Sequence, residues 1–547
     1  MKPFWVSFYS YKGGVGRSMA LTNLAALLAR RGRRVFMIDF DLEAPGLDSF
    51  QEFGIEAKKQ GVVEYAHEFQ HKKIAPELSA YVQECKFSRP VRGQVWLMSS
   101  GKKDESYNAK RIAVNWEELY EQELAQPFIA NWKAAIHRLY KPDYVFVDSR
   151  TGLTDVGGIC TLHLPDLVVL LFGLNDQNLH GTAAVLQTIR NAPAARPPQV
   201  LTVATPVPNL PRDEDGLLKT RLLEAKQQLG IGVENTISYN PQAALIEKLF
   251  TLDDERSRTV SEYSYLLEMI QGRNLDGLDS LISKADKACE KDDEEAATRI
   301  RAVLSEDFGD RADALFAIGQ VTRRFGDRED AVPFWSKALE LEPSHLKAFR
   351  AMVAHVKQKK QLDEVIRLYD ARIEHAAKVE PQNLRDIYRE RGEQLMAMQR
   401  FDQAAESYRH FRSQTETDNG YVRLVGLFNE AEAERRAIGT INVAKWQKVT
   451  EVFERELGVE SYPLAVQANI LQAIHIAYAC GRKSMIAMSV LERARRCASA
   501  VGKTEPIFCV KTYTEVSAEE FLSANDEMMG ALKVGQLWDG MALPSET

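Results

Sequence analysis

The stretch of this chain best equipped for chemistry is Ser10-Tyr11-Lys12-Gly13-Gly14-Val15-Gly16-Arg17-Ser18. It follows a strand-like run and precedes a helix-like one. Glycines in such a turn let backbone N–H groups crowd inward around an anion, and the following helix aims its positive end at the same point. The segment therefore predicts a phosphate cradle. The ordinary phosphate loop reads G-x-x-x-x-G-K-[ST]. This one departs twice, with Tyr11 in place of the first glycine and Arg17 in place of the lysine. A tight strand-to-helix turn without a ligand is the competing reading.

Two acidic sites weigh against that alternative. One predicted strand ends in Ile38-Asp39-Phe40-Asp41, followed by Leu42-Glu43-Ala44-Pro45-Gly46-Leu47-Asp48; another, Tyr144–Val147, ends in Asp148. In a parallel sheet the carboxyl ends of strands meet at the edge where ligands sit. Asp39, Asp41 and Asp148 are thus expected to converge near the phosphates, where carboxylates hold Mg²⁺ and its waters. Each aspartate could instead cap a following helix.

Together these residues resemble the MinD/ParA group of deviant Walker-A ATPases. Lys12-Gly13-Gly14-Val15-Gly16 matches the group's Lys-Gly-Gly-Val-Gly core. Asp39 through Asp48 is similar to its switch I, and Asp148-Ser149 with Gly152 to its Walker B and switch II. The resemblance spans about half the chain and implies ATP and Mg²⁺ as ligands, with Gly13 to Met19 around the phosphates. By the same likeness, Lys12 reaches across an ATP-sandwiched dimer, Ser18 ligates Mg²⁺, Asp39 and Asp148 support the metal, and Asp41 orients the attacking water. Thr205-Pro206-Val207-Pro208 and Tyr239-Asn240-Pro241 fall where the group holds adenine, which makes Pro206 and Pro208 candidates there. Arg17 keeps a positive charge and can fork onto phosphate oxygens, but it is no compact point charge, so slow turnover is expected. Arg150, where the group usually has an uncharged residue, could act as an arginine finger or could pair with Asp155 or Glu43.

These side chains need a sheet to hold them. Apolar runs at Phe4–Tyr9, Arg34–Ile38, Val95–Met98, Tyr144–Val147, Leu167–Phe172, Val200–Val203 and Thr236–Ser238 alternate with helical stretches such as Met19–Arg31 and Gln126–Leu139. Fully apolar strands separated by helices predict an α/β, doubly wound, mostly parallel sheet of the P-loop NTPase type over residues 1–270. Strand signals nearly vanish after Leu275. A helical linker is expected over 271–311 and an all-α tetratricopeptide-like repeat domain over 312–547. The segment Leu315-x-x-Ile318-Gly319…Ala331-x-x-x-Trp335-x-x-Ala338…Pro343 fits that repeat well, and Val365 and Tyr369 stand 34 residues beyond Ala331 and Trp335. Gly392, Phe401, Ala404 and Tyr408 form a third, looser copy. An ordinary helical bundle is the plainer alternative. The loop variant joined to such repeats also resembles a bacterial branch of the same ATPase group.

The whole composition narrows the function. The 547 residues carry 70 Lys and Arg against 77 Asp and Glu, a net charge of −7, which disfavours a protein that mainly coats DNA or an anionic membrane. The basic runs Arg30-Arg31-Gly32-Arg33-Arg34 and Arg493-Ala494-Arg495-Arg496 lack interleaved aromatics and read as solvated helix faces before they read as DNA contacts. The acidic-to-neutral C-terminal end argues against a membrane-binding basic helix. Scattered cysteines and no apolar run near ~20 residues predict a soluble cytoplasmic chain. The reading is an ATP-dependent homodimerising switch whose repeats bind a protein partner, in a bacterial signalling, regulatory or phage-defence module. The alternatives are a partition-type ATPase that binds DNA non-specifically and a non-hydrolysing nucleotide-bound scaffold.

Overall fold

The computed structural model describes residues 2–544 apart from 56–58, 117–118, 120–124, 153–157, 192–196, 211–214, 253–256, 416–419 and 503–504. The chain divides into two compact units, Met1–Asp327 and Arg328–Thr547.

The first unit is built on an eight-stranded sheet of order β3-β4-β2-β5-β1-β6-β7-β8. Its strands are β1 (Phe4–Tyr9), β2 (Arg34–Asp39), β3 (Gln83–Glu84), β4 (Gln94–Met98), β5 (Tyr144–Asp148), β6 (Leu167–Phe172), β7 (Gln199–Val207) and β8 (Asn235–Ser238). All pairings are parallel except β3 with β4. The two-residue β3 was too short to carry a periodic signal. β1, β5 and β6 are buried along their whole length, as helices on both faces demand. Phe8, Leu24, Met37 and Phe146 belong to one face's core, and Phe36, Tyr65, Trp132 and Val145 to the other's. The doubly wound parallel architecture expected from alternating runs is the one observed.

The segment expected as a helical linker forms Leu278–Glu290 and Glu294–Phe308 inside this unit, followed by Ala312–Phe325. Ion pairs bind it to the sheet. Arg33, just before β2, donates to Asp279 at 2.5 Å and Asp313 at 2.7 Å; Arg34 meets Asp310 at 3.2 Å, and Arg311 meets the buried Asp143 at 2.7 Å. The basic run 30–34 is therefore no solvated face: Arg33 is buried, Arg30 donates to the Thr251 carbonyl and Arg31 to Gln271. Acids distant in sequence take up the charge that the local reading left free.

Among the described residues the second unit is mainly helical, with a hairpin of Ile507–Cys509 and Thr514–Val516 that the sequence did not signal. Its consecutive helices pack on one another, among them Leu346–Gln358 with Leu362–Val379 and Leu384–Ala397 with Phe401–Ser413. The repeat positions are packing positions. Ala331, Trp335, Ala338, Val365, Ala404 and Tyr408 are fully buried. A Cβ on Gly392 would lie 2.6 Å from the Tyr408 ring, so glycine is what lets those two helices close. The two helices of the best-matched copy, Ala312–Phe325 and Arg328–Leu341, fall in different units.

Candidate nucleotide site

The cradle forms where β1 ends and α1 (Arg17–Arg30) begins. Gly14 and Gly16 adopt φ of 78° and 80°, a left-handed conformation that side chains resist. A Cβ at Gly13, Gly14 or Gly16 would meet no atom within 4 Å, so the loop opens onto free space. Gly16 is the N-cap of α1 and offers no side chain, leaving the first amides of the helix to an outside acceptor. Val15 turns the other way, into the core. Tyr11 explains its own departure from the glycine expected there: its ring lies against Gly181, where a Cβ would sit 1.9 Å from the ring. Lys12 stays partly exposed, its Nζ 5.8 Å from the Tyr11 ring centroid.

The acids converge as the strand ends require, since Asp39 is the register partner of Asp148 across β2 and β5. Ser18 Oγ donates to Asp148 Oδ2 at 2.5 Å. Arg17 is buried and is fully engaged: its Nη2 donates to Asp41 Oδ2 at 2.7 Å, its Nη1 to Ser10 Oγ at 3.2 Å, and its Nε lies 3.5 Å from Asp148 Oδ1. The guanidinium thus bridges two carboxylates through separate nitrogens of its planar fork. Asp39 accepts the amides of Asp41, Gly46 and Leu47 and so ties down the loop after β2. Burial raises its pKa well above the carboxylate range, and Asp148 adds to the rise. Burial also raises Asp148, to about 6, against the opposing pull of Arg17 and Ser18.

Asp148 Oδ1 is buried and accepts no hydrogen bond. A carboxylate oxygen faced by Arg17 Nε at 3.5 Å but accepting no hydrogen bond, beside a serine hydroxyl next to a phosphate cradle, suits a hard cation such as Mg²⁺. Among the described residues no group of three or more His, Cys, Asp and Glu side chains could cage a metal by itself. The fit is to an ion completed by phosphate oxygens and water.

Arg150 pairs with Glu43 at 2.7 Å, and Arg111 takes the other oxygen of Glu43 at 3.1 Å. Asp155, the other partner considered, lies outside the described residues. On the far side of the cradle a cavity of about 160 Å³ is lined by Gly14, Val15, Gly16, Met19, Pro206, Tyr239 and Asn240, and also by Thr205, Ile237, Phe250, Thr259 and Tyr263. The structure thus brings Met19, Pro206 and the Tyr239-Asn240 strand end against the loop. Pro208 is exposed and does not line the cavity, because β7 has carried the chain past it. Sequence reading missed Phe250, Thr259 and Tyr263, which come from a turn and a helix that bear no motif. The signal that could have found Tyr263 is only its place on the apolar face of Arg258–Arg273.

A sequence model described as the CobQ/CobB/MinD/ParA nucleotide binding domain matches residues 6–400, and the chain belongs to that family. No curated protein matches it. Among solved structures it is similar to the cell division ATPase MinD of Pyrococcus furiosus, with 18% identity, 49% of this chain and 98% of that one covered, and a TM-score of 0.36. The septum site-determining protein MinD of Pyrococcus horikoshii, complexed with Mg-ADP, gives 16%, 49%, 96% and 0.37 in the same order. A plasmid partition protein from Borrelia burgdorferi gives 16%, 50%, 100% and 0.33.

Proposed function

We propose that this protein is an ATP-dependent dimerising switch, a slow ATPase whose helical unit binds a protein partner. The observation that carries the nucleotide reading is the continuity of two spaces: the open glycine cradle and the cavity that shares Gly14 and Gly16 with it. The first suits phosphates and the second a flat base. In this reading the amides of Gly13 to Met19 hold the phosphates, and Ser18 and Asp148, with Asp39 behind them, hold Mg²⁺, which neutralises phosphate charge when bound. Asp41 orients water once Arg17 has released it. Lys12, with its free reach, serves the facing subunit. Arg150 is held by Glu43 and would need to leave it to act as a finger.

Partner binding by the helical unit is supported by a largely apolar cavity of about 330 Å³ there, lined by Phe411, Tyr421, Phe428, Ile474 and Phe508 together with the Arg389–Glu393 ion pair. The capture of Arg30, Arg31, Arg33 and Arg34 by internal partners favours the switch over non-specific DNA binding. A bacterial signalling, regulatory or defence module is the setting in which such a switch would act.

The test is sedimentation velocity of the full chain with ATP, a slowly hydrolysed analogue, ADP or no nucleotide, with and without DNA. Association only with ATP or the analogue, lost in Lys12→Ala while monomeric binding persists, is the expected result. A Lys12→Ala protein that dimerises like wild type overturns the cross-subunit role, and a complex formed only with DNA favours the partition reading.

A further inference from the structure

Away from the cradle, one pair of side chains is arranged as a chelate. The helix α2 (Val62–Lys72) places His67 and His71 one turn apart on the same face. Their Nε2 atoms are 3.1 Å apart, while their ring centroids are 4.3 Å apart at an interplanar angle of 61°. The rings therefore approach each other most closely at their Nε2 atoms, near enough for both nitrogens to ligate one ion. Two neutral imidazoles so placed share a single hydrogen, with one Nε2–H donating to the other's lone pair. Moving that hydrogen to Nδ1 leaves both Nε2 lone pairs free for the ion.

The spacing selects a geometry. For a metal about 2.1 Å from each nitrogen, half of 3.1 Å divided by 2.1 Å is the sine of the half-angle, so the pair subtends about 95°. That is close to the right angle between neighbouring ligands of an octahedral or tetragonal ion. Imidazole donors suit borderline ions and not the hard Mg²⁺ of a phosphate site. Glu68 does not complete the site, because Lys72 holds it at 2.7 Å and Tyr81 at 2.5 Å. Water would fill the remaining positions.

We propose that His67 and His71 form a two-nitrogen site for a divalent transition-metal ion, Cu²⁺ or Ni²⁺, separate from the nucleotide cradle. Bound there, the ion closes the last turns of α2 and stabilises the folded chain by mass action.

The test uses the full chain freed of metal with a chelator and needs no nucleotide. Titration with NiCl₂ should show one equivalent bound by wild type. His67→Ala and His71→Ala should each weaken binding by at least about tenfold, the scale at which even groups that merely support a ligand act. With one equivalent of Cu²⁺, electron paramagnetic resonance should show two nitrogen ligands in wild type and fewer in either variant. MgCl₂ should give no corresponding heat. His71 is exposed and His67 half-buried, and a circular dichroism spectrum like wild type's confirms that each variant folds. Affinities within about twofold of wild type in both variants, or a Cu²⁺ spectrum unchanged by them, overturn the proposal.

Discussion

Arg17 occupies the position where a phosphate loop ordinarily places lysine, yet its guanidinium is spent on Asp41 and Asp148. Removing it would leave two buried carboxylates without their counter-charge, at a cost of about 3 kcal/mol. Arg17→Ala should therefore melt earlier than wild type, and MgCl₂ without nucleotide should recover part of the loss in the variant but not in wild type. Scanning calorimetry with and without Mg²⁺ reads both effects; equal melting of the two proteins would show that the bridge contributes nothing. Gly16 sets a second residue-scale expectation. Gly16→Val must force a β-branched side chain to φ of 80° and fill open space at the cradle. Isothermal titration should find no ATP binding, and unchanged affinity would refute the cradle.

Elements here are fastened by a few chosen contacts. Arg33 stands just before β2, whose far end carries Asp39, and it binds Asp279 and Asp313, which lie 246 and 280 residues further along the chain. Because these acids are partly exposed, Arg33→Ala should cost about 2–3 kcal/mol, below the figure for a fully buried pair. Hydrogen exchange should then quicken in Leu278–Glu290 and Ala312–Phe325 first. Exchange that quickens evenly across the chain would deny the network this local role. In the helical unit, Gly392→Ala should push on Tyr408 and cost about 1–3 kcal/mol by overpacking. An unchanged urea midpoint would mean that the two helices separate freely.

The whole molecule should lose stability on mild acidification through His475. Its ring is fully buried, and burial lowers its pKa from 6.5 to about 4. The unfolded chain then binds the proton more readily than the folded one between those values. Stability from this group is complete above pH 6.5 and falls as pH drops toward 4. Between pH 7.5 and 5 the loss is about 2 kcal/mol by linkage. Asp39 and Asp148 act in the opposite sense, because their raised pKa values favour the folded state as pH falls. A comparison with His475→Leu isolates the histidine: the gap between the two unfolding free energies should move by that amount over the same pH range. A constant gap would rule out a buried neutral imidazole.

Much of the site is legible because its parts are local. Strand, glycine loop and helix are consecutive from Phe4 to Arg30, and Asp39, Asp41 and Asp148 end apolar runs that a parallel sheet brings to one edge. The repeat signature is equally local where Tyr408 packs on Gly392 of the helix before it. Side-chain partnership between distant segments was not legible. Arg17 read as a phosphate ligand, and the placement of Asp41 and Asp148 turns it to the acids. The run 30–34 looked solvated until Asp279, Asp310 and Asp313 were folded against it. The cavity beside the cradle draws Pro206, Tyr239 and Tyr263 from three separate elements. Backbone periodicity and loop chemistry are written in neighbouring residues. The partner of a charged or aromatic side chain depends on which distant surface the tertiary fold lays beside it.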